Sequence, residues 1–184
     1  MPTLVAYALT SVLFTVSYFF TILATVLPNW LLFSTPNPFR VTTNYGLFKK
    51  CRGECRVFPS SDENDCDEKN FCEEWEGAAA AMIFAAIIGG LVWLNLVNAL
   101  VSGRAGRARA WKGITVLLLL HALLQFTAVF LIAHLYTTSN RFYFGTKYDI
   151  SFIFTNISAS FSVVLAIILL MNGVLSHPEY VVIY

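Results

Sequence analysis

The sequence predicts an all-α membrane protein: a bundle of four transmembrane helices carrying a small disulfide-tied β-sheet. Three observations carry that prediction. Asp, Glu, Lys and Arg are absent from residues 1–39, 77–103, 113–140 and 150–178. All four cysteines fall in the segment between the first and second of these stretches. The short arginine-rich link lies between the second and third. Composition agrees. Hydrophobic residues make up 57% of the chain and charged residues 12%, against about 45–50% and 25% in soluble domains. The mean hydropathy is +0.66. These values exclude a disordered chain, a basic nucleic-acid-binding protein and an ordinary soluble enzyme. A net charge of +1 leaves no global field to steer a polyanion.

A hydrocarbon core about 30 Å thick needs about 20 apolar helical residues. Each uncharged stretch holds one such span, at about 4–27, 77–101, 113–135 and 151–175. Helices satisfy their own backbone groups in lipid, which an open sheet does not. The 184 residues form one four-span domain. The first stretch is longer than a signal-peptide core, lacks a basic flank and has no clear cleavage site, so it reads as a retained span. The link at 102–112 contains Arg104, Arg107, Arg109 and Lys112 and no acid. Short basic loops stay in the cytosol. Both termini, including the 176–184 tail, are therefore expected in the cytosol, and the loops at 28–76 and 136–150 outside. Trp30, Trp75 and Trp111 stand near span ends, where an amphipathic ring favours the membrane interface. The basic link is also suited to anionic lipid head groups.

The cysteines choose the same side. Cys51, Cys55, Cys66 and Cys72 all lie in the 28–76 loop, and an even cluster in an oxidising compartment reads as two disulfides. Residues 40–58 read as short strands, because Val41, Thr42, Thr43, Tyr45, Leu47 and Phe48 are of β-branched, aromatic and apolar types. The run from Cys51 to Cys55 reads as a tight turn centred on Gly53. Four cysteines allow three connectivities. A hairpin loop at 52–54 sets Cys51 against Cys55 and leaves Cys66 to Cys72. Pairing Cys51 with Cys66 and Cys55 with Cys72 closes larger loops and restrains the unfolded segment more. Both pairings stay open at this point. Residues 59–76 are acidic, with only Lys69 opposing, and read as a solvated excursion that returns to the membrane at Trp75. Residues 62–68 lack the spacing and sixth-position Gly of an EF-hand. The cysteine spacings are not those of a zinc site.

Polar residues inside the spans are read as helix glue. His121 and Gln125 lie one turn apart on the third span and suit a structural hydrogen bond or, failing that, a proton or ion path. Ala81 with Ala85 and Ala86 with Gly90 are small-residue pairs fit for packing within the bundle or between protomers. Asn95 and Asn98 are expected to bond across helices. Asn156, Ser158, Ser160 and Ser162 punctuate the fourth span. The aromatic run at 141–145 suits an interfacial belt or contact with the sheet of the first loop. Alternating apolar residues in the tail suit strand addition at a PDZ-type edge.

Trp30, followed by Gly46, Leu47, Phe48 and Cys51 and then Cys55, resembles the loop signature of the claudin and peripheral-myelin-protein superfamily: a Trp, then Gly-Leu-Trp-x-x-Cys, then a second Cys. With Phe48 at the aromatic position, the chain looks closest to the fungal SUR/PalI-type branch. Three features depart from the pattern: Phe48 in place of Trp, the close spacing of Cys51 and Cys55, and the extra Cys66 and Cys72. The resemblance implies a left-handed four-helix bundle capped by a small extracellular sheet. It also implies a role in organising the plasma membrane or in cell-wall and pH signalling.

The function expected is non-enzymatic: lateral membrane organisation, adhesion or cell-surface signalling through contacts with lipid, with other membrane proteins or with a second copy. A channel or transporter subunit is the alternative, and a membrane thiol oxidoreductase is a more distant one. No catalytic residue, cofactor, metal, nucleic-acid partner or small-molecule substrate is expected.

Overall fold

The computed structural model describes residues 4–35, 41–140, 142 and 145–175, the side chains at 61, 104 and 105 excepted. The tail at 176–184 lies outside the described residues. Four helices dominate: α1 (Leu4–Val26), α2 (Phe71–Val101), α3 (Arg104–Thr138) and α4 (Ile150–Leu175). All four are long and apolar enough to cross a bilayer. The chain is an integral membrane protein. α2 and α3, of 31 and 35 residues, rise about 46 and 52 Å and overrun a core of about 30 Å.

The expected link at 102–112 is not a loop. Only Ser102 and Gly103 separate α2 from α3, and Arg107, Arg109 and Lys112 ride the first turns of α3. Arg and Ala are strong helix formers, and charge keeps a segment out of lipid without stopping it from being helical. α2 likewise begins at Phe71, ahead of the apolar run.

α1 packs against α2 and α4, and α3 closes the ring against the same two. Towards the basic turns of α3 the core is built from Tyr7, Phe14, Leu96, Ile114, Leu118 and Leu169. At the opposite end it is built from Trp30, Leu47, Phe58, Phe71, Trp75 and Ile132. The small residues of α2 are used inside the bundle. A Cβ added at Gly89 would lie 2.6 Å from the Tyr18 ring and 3.0 Å from His121 Nε2. The Tyr18 hydroxyl donates to the Ala86 carbonyl (3.0 Å), and Ala81 and Ala85 are buried. Asn95 does not reach another helix. It donates to Leu91 O on its own (2.8 Å), and Asn95 and Asn98 are both exposed near the basic end, where water and head groups can satisfy them. Tyr18 is held at both ends, by its hydroxyl and by stacking on Phe14, so it cannot swing aside. We predict that Gly89→Leu destabilises the bundle by about 1–3 kcal/mol through overpacking. Chemical denaturation in micelles measures this, and an unchanged midpoint contradicts it.

The sheet is five-stranded and antiparallel, in the order β4-β3-β2-β1-β5. Its strands are β1 (Leu31–Ser34), β2 (Thr42–Tyr45), β3 (Lys49–Arg52), β4 (Glu54–Val57) and β5 (Lys147–Tyr148). Three of them fall where strands were expected. β1 was hidden in the first uncharged stretch, and β5 is a two-residue strand from the other loop, in register with Leu31 and Leu32.

Candidate functional site

The joint between sheet and bundle is built on two tryptophans. Trp30 follows α1 directly and is fully buried; its Nε1–H donates to Ala24 O (2.8 Å) and its ring meets Phe152 edge-on. Trp75, in the second turn of α2, is also fully buried and donates to Leu47 O (3.2 Å). Neither ring belongs to an interfacial belt. An indole at a span end serves a core joint equally well once its N–H finds a carbonyl. Gly46 sits where no side chain fits: a Cβ there would lie 2.4 Å from Pro28 Cα and 3.0 Å from Lys49 O. Leu47 is buried beneath Trp75, whereas Phe48 is 43% exposed. Further bonds tie the two loops together. Asp149 N donates to Trp30 O (3.0 Å), Ser151 N to Asn29 O (2.9 Å), and Asn29 Nδ2 to the Asp149 carboxylate (2.9 Å).

Both disulfides are local. Cys51 and Cys55 are directly opposed on β3 and β4 and bonded, with Gly53 at φ +80° making the turn between them. Cys66 is bonded to Cys72 in the first turn of α2. The acidic segment is less solvated than its composition suggests. Asp65 is buried, 4.0 Å from Lys50 Nζ, and that ammonium also stands over the rings of Tyr45 and Phe58 at 5.6 and 5.7 Å. Glu68 accepts from the Ser139 hydroxyl and from Asn140 N at the end of α3. Glu74 lies 2.8 Å from His134 Nδ1. Glu68 and Glu74 tie the segment to α3 and the two residues that follow it, some 60–70 residues away in sequence. From the second loop, Phe142 packs against Tyr45, Phe71 and Trp75, so contact with the sheet holds for that residue. Arg141, Tyr143 and Phe144 lie outside the described residues.

β4 is exposed along its whole length. Beside it, Lys50, Arg52, Glu54, Arg56 and Glu63 line an open groove of about 370 Å³. Arg56 and Glu63 pair across it at 3.0 Å. The surface therefore presents both signs of charge.

A second constellation lies at mid-depth in the bundle. Gln125 Nε2 donates to Thr21 Oγ1 (2.6 Å) and Ser158 Oγ (3.1 Å). The Ser158 hydroxyl lies 2.9 Å from Ser17 Oγ and 2.8 Å from Thr21 Oγ1. His121 Nδ1 meets Ser162 Oγ at 3.0 Å, and its Nε2 lies 3.5 Å from Thr21 Oγ1. All six side chains are buried, and Gln125 Oε1 has no partner among the described residues. The His121–Gln125 pair thus joins a layer whose other members come from α1 and α4. Ser17 and Thr21 were not anticipated; their spacing of one turn was the available signal. We predict that Ser158→Ala, which leaves one Gln125 amide hydrogen without its acceptor and removes the Ser158 hydroxyl's bond to Ser17 O in a dry core, costs about 1–3 kcal/mol. Thermal unfolding in micelles is the check, and a loss below about 0.5 kcal/mol, the usual surface value, would sink the idea that this layer is cooperative.

The basic residues occupy the other end of the molecule. The Tyr7 hydroxyl, near the start of α1, donates to Arg107 O (2.8 Å), and Arg107 Nη1 donates to Ser102 O (2.6 Å). Lys112 Nζ stands 5.6 Å from the centroid of the Trp111 ring, and that ring packs on Gly173. Arg109 is exposed. The side chain of Arg104 lies outside the described residues. The disulfides and the basic first turns of α3 thus lie at opposite ends of the bundle.

A scan against protein-family models finds no match, and a search of curated proteins finds no similar sequence.

Proposed function

We propose that this chain is a non-catalytic, claudin-like four-span protein. It presents the disulfide-held sheet on the outer face of the plasma membrane, keeps both termini in the cytosol, and organises its surroundings through lateral protein–protein contacts. The single observation that carries the reading is the rigid joint at Trp30, Gly46, Leu47 and Trp75. It fixes a sheet with an open, mixed-charge edge to the bundle. A display surface gains from such order, because an ordered epitope avoids the entropic cost of being ordered on binding. The cysteines at the sheet end and the short acid-free basic segment at the other support the orientation. The Trp30–Gly46–Leu47–Phe48–Cys51–Cys55 pattern supports the claudin-like assignment, and its fungal-type departures favour a membrane-organising or cell-surface signalling role over a junctional pore.

Cross-linking mass spectrometry on native membranes, with and without reductant, tests this proposal. Cross-links from the 41–76 segment to a defined set of membrane proteins are expected, and they should diminish when the disulfides are reduced. Cross-links indistinguishable from random neighbours would contradict it. The buried layer around His121 and Gln125 favours a second reading, an ion- or proton-conducting subunit. Flux in proteoliposomes that vanishes with His121→Ala would put that reading first.

A further inference from the structure

At the basic end of the bundle, positive charge has no counterpart. Asp and Glu are absent from residues 1–53, 77–148 and 150–178. Where α1 begins, α2 ends, α3 begins and α4 ends, the described residues therefore carry cations and no acid. Glu179, in the tail, lies outside the described residues. Arg109 and Lys112 are both exposed, and neither forms an ion pair among the described residues. Three residues apart on α3, they stand about 60° apart round the helix axis and about 4.5 Å apart along it. Lys112 is the last charged residue before the uncharged stretch at 113–140, so it marks the hydrocarbon boundary. Arg109 then falls within the polar layer, which is about 5–7 Å deep on each side of the core.

The turn that carries them is anchored. The Tyr7 hydroxyl of α1 donates to Arg107 O, and the Arg107 guanidinium is occupied by Ser102 O. The Trp111 ring lies against α4, 2.6 Å from where a Cβ on Gly173 would stand, and Lys112 Nζ stands over that ring. Membrane orientation requires cations in the link, wherever they point. It does not require two of them to stand unpaired, side by side, at the level of the lipid phosphates. We infer that Arg109 and Lys112 form a docking site for an anionic phospholipid. The Arg109 guanidinium donates to the phosphate oxygens, and the Lys112 ammonium meets the same head group from the hydrocarbon side. The bilayer that the spans cross brings this partner to the site, and its anionic head groups complement a surface without acids. With the sheet outside, as proposed above, the leaflet is the cytosolic one, where anionic lipids give a negative surface potential.

The test uses the full-length protein, carrying a donor dye at its amino terminus, in phosphatidylcholine vesicles. A trace of phosphatidylserine or of phosphatidylcholine bears an acceptor on its acyl chain, and energy transfer gives the preference of the protein for one over the other. The wild type should favour phosphatidylserine. Arg109→Gln combined with Lys112→Gln should lower that preference about fivefold or more, at about fivefold for each cation near the surface. Lys112→Arg and Arg107→Gln should each keep most of it, the first because it retains the charge and the second because that side chain is turned to Ser102 O. Inorganic phosphate at millimolar concentration should leave the preference in place. Retention of both disulfides and of helical circular dichroism verifies folding in each variant. Equal transfer from the two lipids in the wild type would overturn the inference. So would a loss in Arg107→Gln as large as in the double variant, which would mean a diffuse field in place of a site, or competition by phosphate, which would assign the cations to a soluble anion. Both leaflets of the vesicles are alike, so the result does not depend on which side the sheet faces, and the cross-linking experiment above decides the broader reading independently.

Discussion

Replacing Trp30 by alanine is expected to cost about 3–5 kcal/mol, the range for truncating a fully buried tryptophan. The ring is the pivot between α1, the sheet and α4. It touches Phe152, donates to Ala24 O, and its own backbone N–H and C=O bond to Tyr45 and Asp149. Truncation leaves a cavity and an unmet acceptor together. Phenylalanine at the same position should cost less, because it refills most of the volume and forgoes only the indole donor. The check is the denaturation midpoint in micelles alongside protease sensitivity of residues 41–60. A native midpoint in Trp30→Ala would mean that the ring lies in the membrane interface, as its sequence position suggests, and not in the core.

The second large effect is expected at Gly46. A methyl group there meets Pro28 Cα and Lys49 O, both backbone atoms, and backbone cannot rotate aside as a side chain can. Overpacking of this kind costs about 3 kcal/mol or more. The damage should be local: the Gly46 N–H bond to Lys49 O (2.8 Å) would be lost and β2 would separate from β3, while the four spans stay inserted. Gly46→Ala should therefore shed hydrogen-exchange protection in residues 42–57 and keep its helical circular dichroism. Unaltered protection in that segment would contradict the close packing of sheet on α1.

Much of this was legible in the sequence, because exclusion of charge from a span is a property of consecutive residues. The four spans, and the placement of all four cysteines in one loop and of an acid-free basic link in another, needed no long-range information. Helix limits were less legible: the start of α2 at Phe71 lies within an acidic stretch, and no apolar run marks the helical course of the basic turns before Lys112. The disulfide pairing was open on spacing alone and is decided by Gly53, whose positive φ closes the hairpin that sets Cys51 against Cys55. At the site, His121 and Gln125 were identifiable as a pair one turn apart, but their partners Thr21 and Ser158 lie 104 and 33 residues from Gln125. A run of acids likewise reads as solvated until Lys50, His134 and the end of α3 are placed beside it. Asn95 was misread because depth, and not residue type, decides whether an amide needs a partner helix.

Both loops contribute to the joint between sheet and bundle. β5 extends the sheet of the first loop and leads directly into α4.

The account depends most on which side of the membrane holds the sheet. A single measurement addresses it: intact cells are treated with a membrane-impermeant reductant and then a membrane-impermeant maleimide, using the wild type and a Ser102→Cys variant. The account predicts that Cys51, Cys55, Cys66 and Cys72 are labelled in intact cells, and that Cys at position 102 is labelled only after permeabilisation. Labelling of position 102 in intact cells, with the four native cysteines protected until permeabilisation, would contradict it.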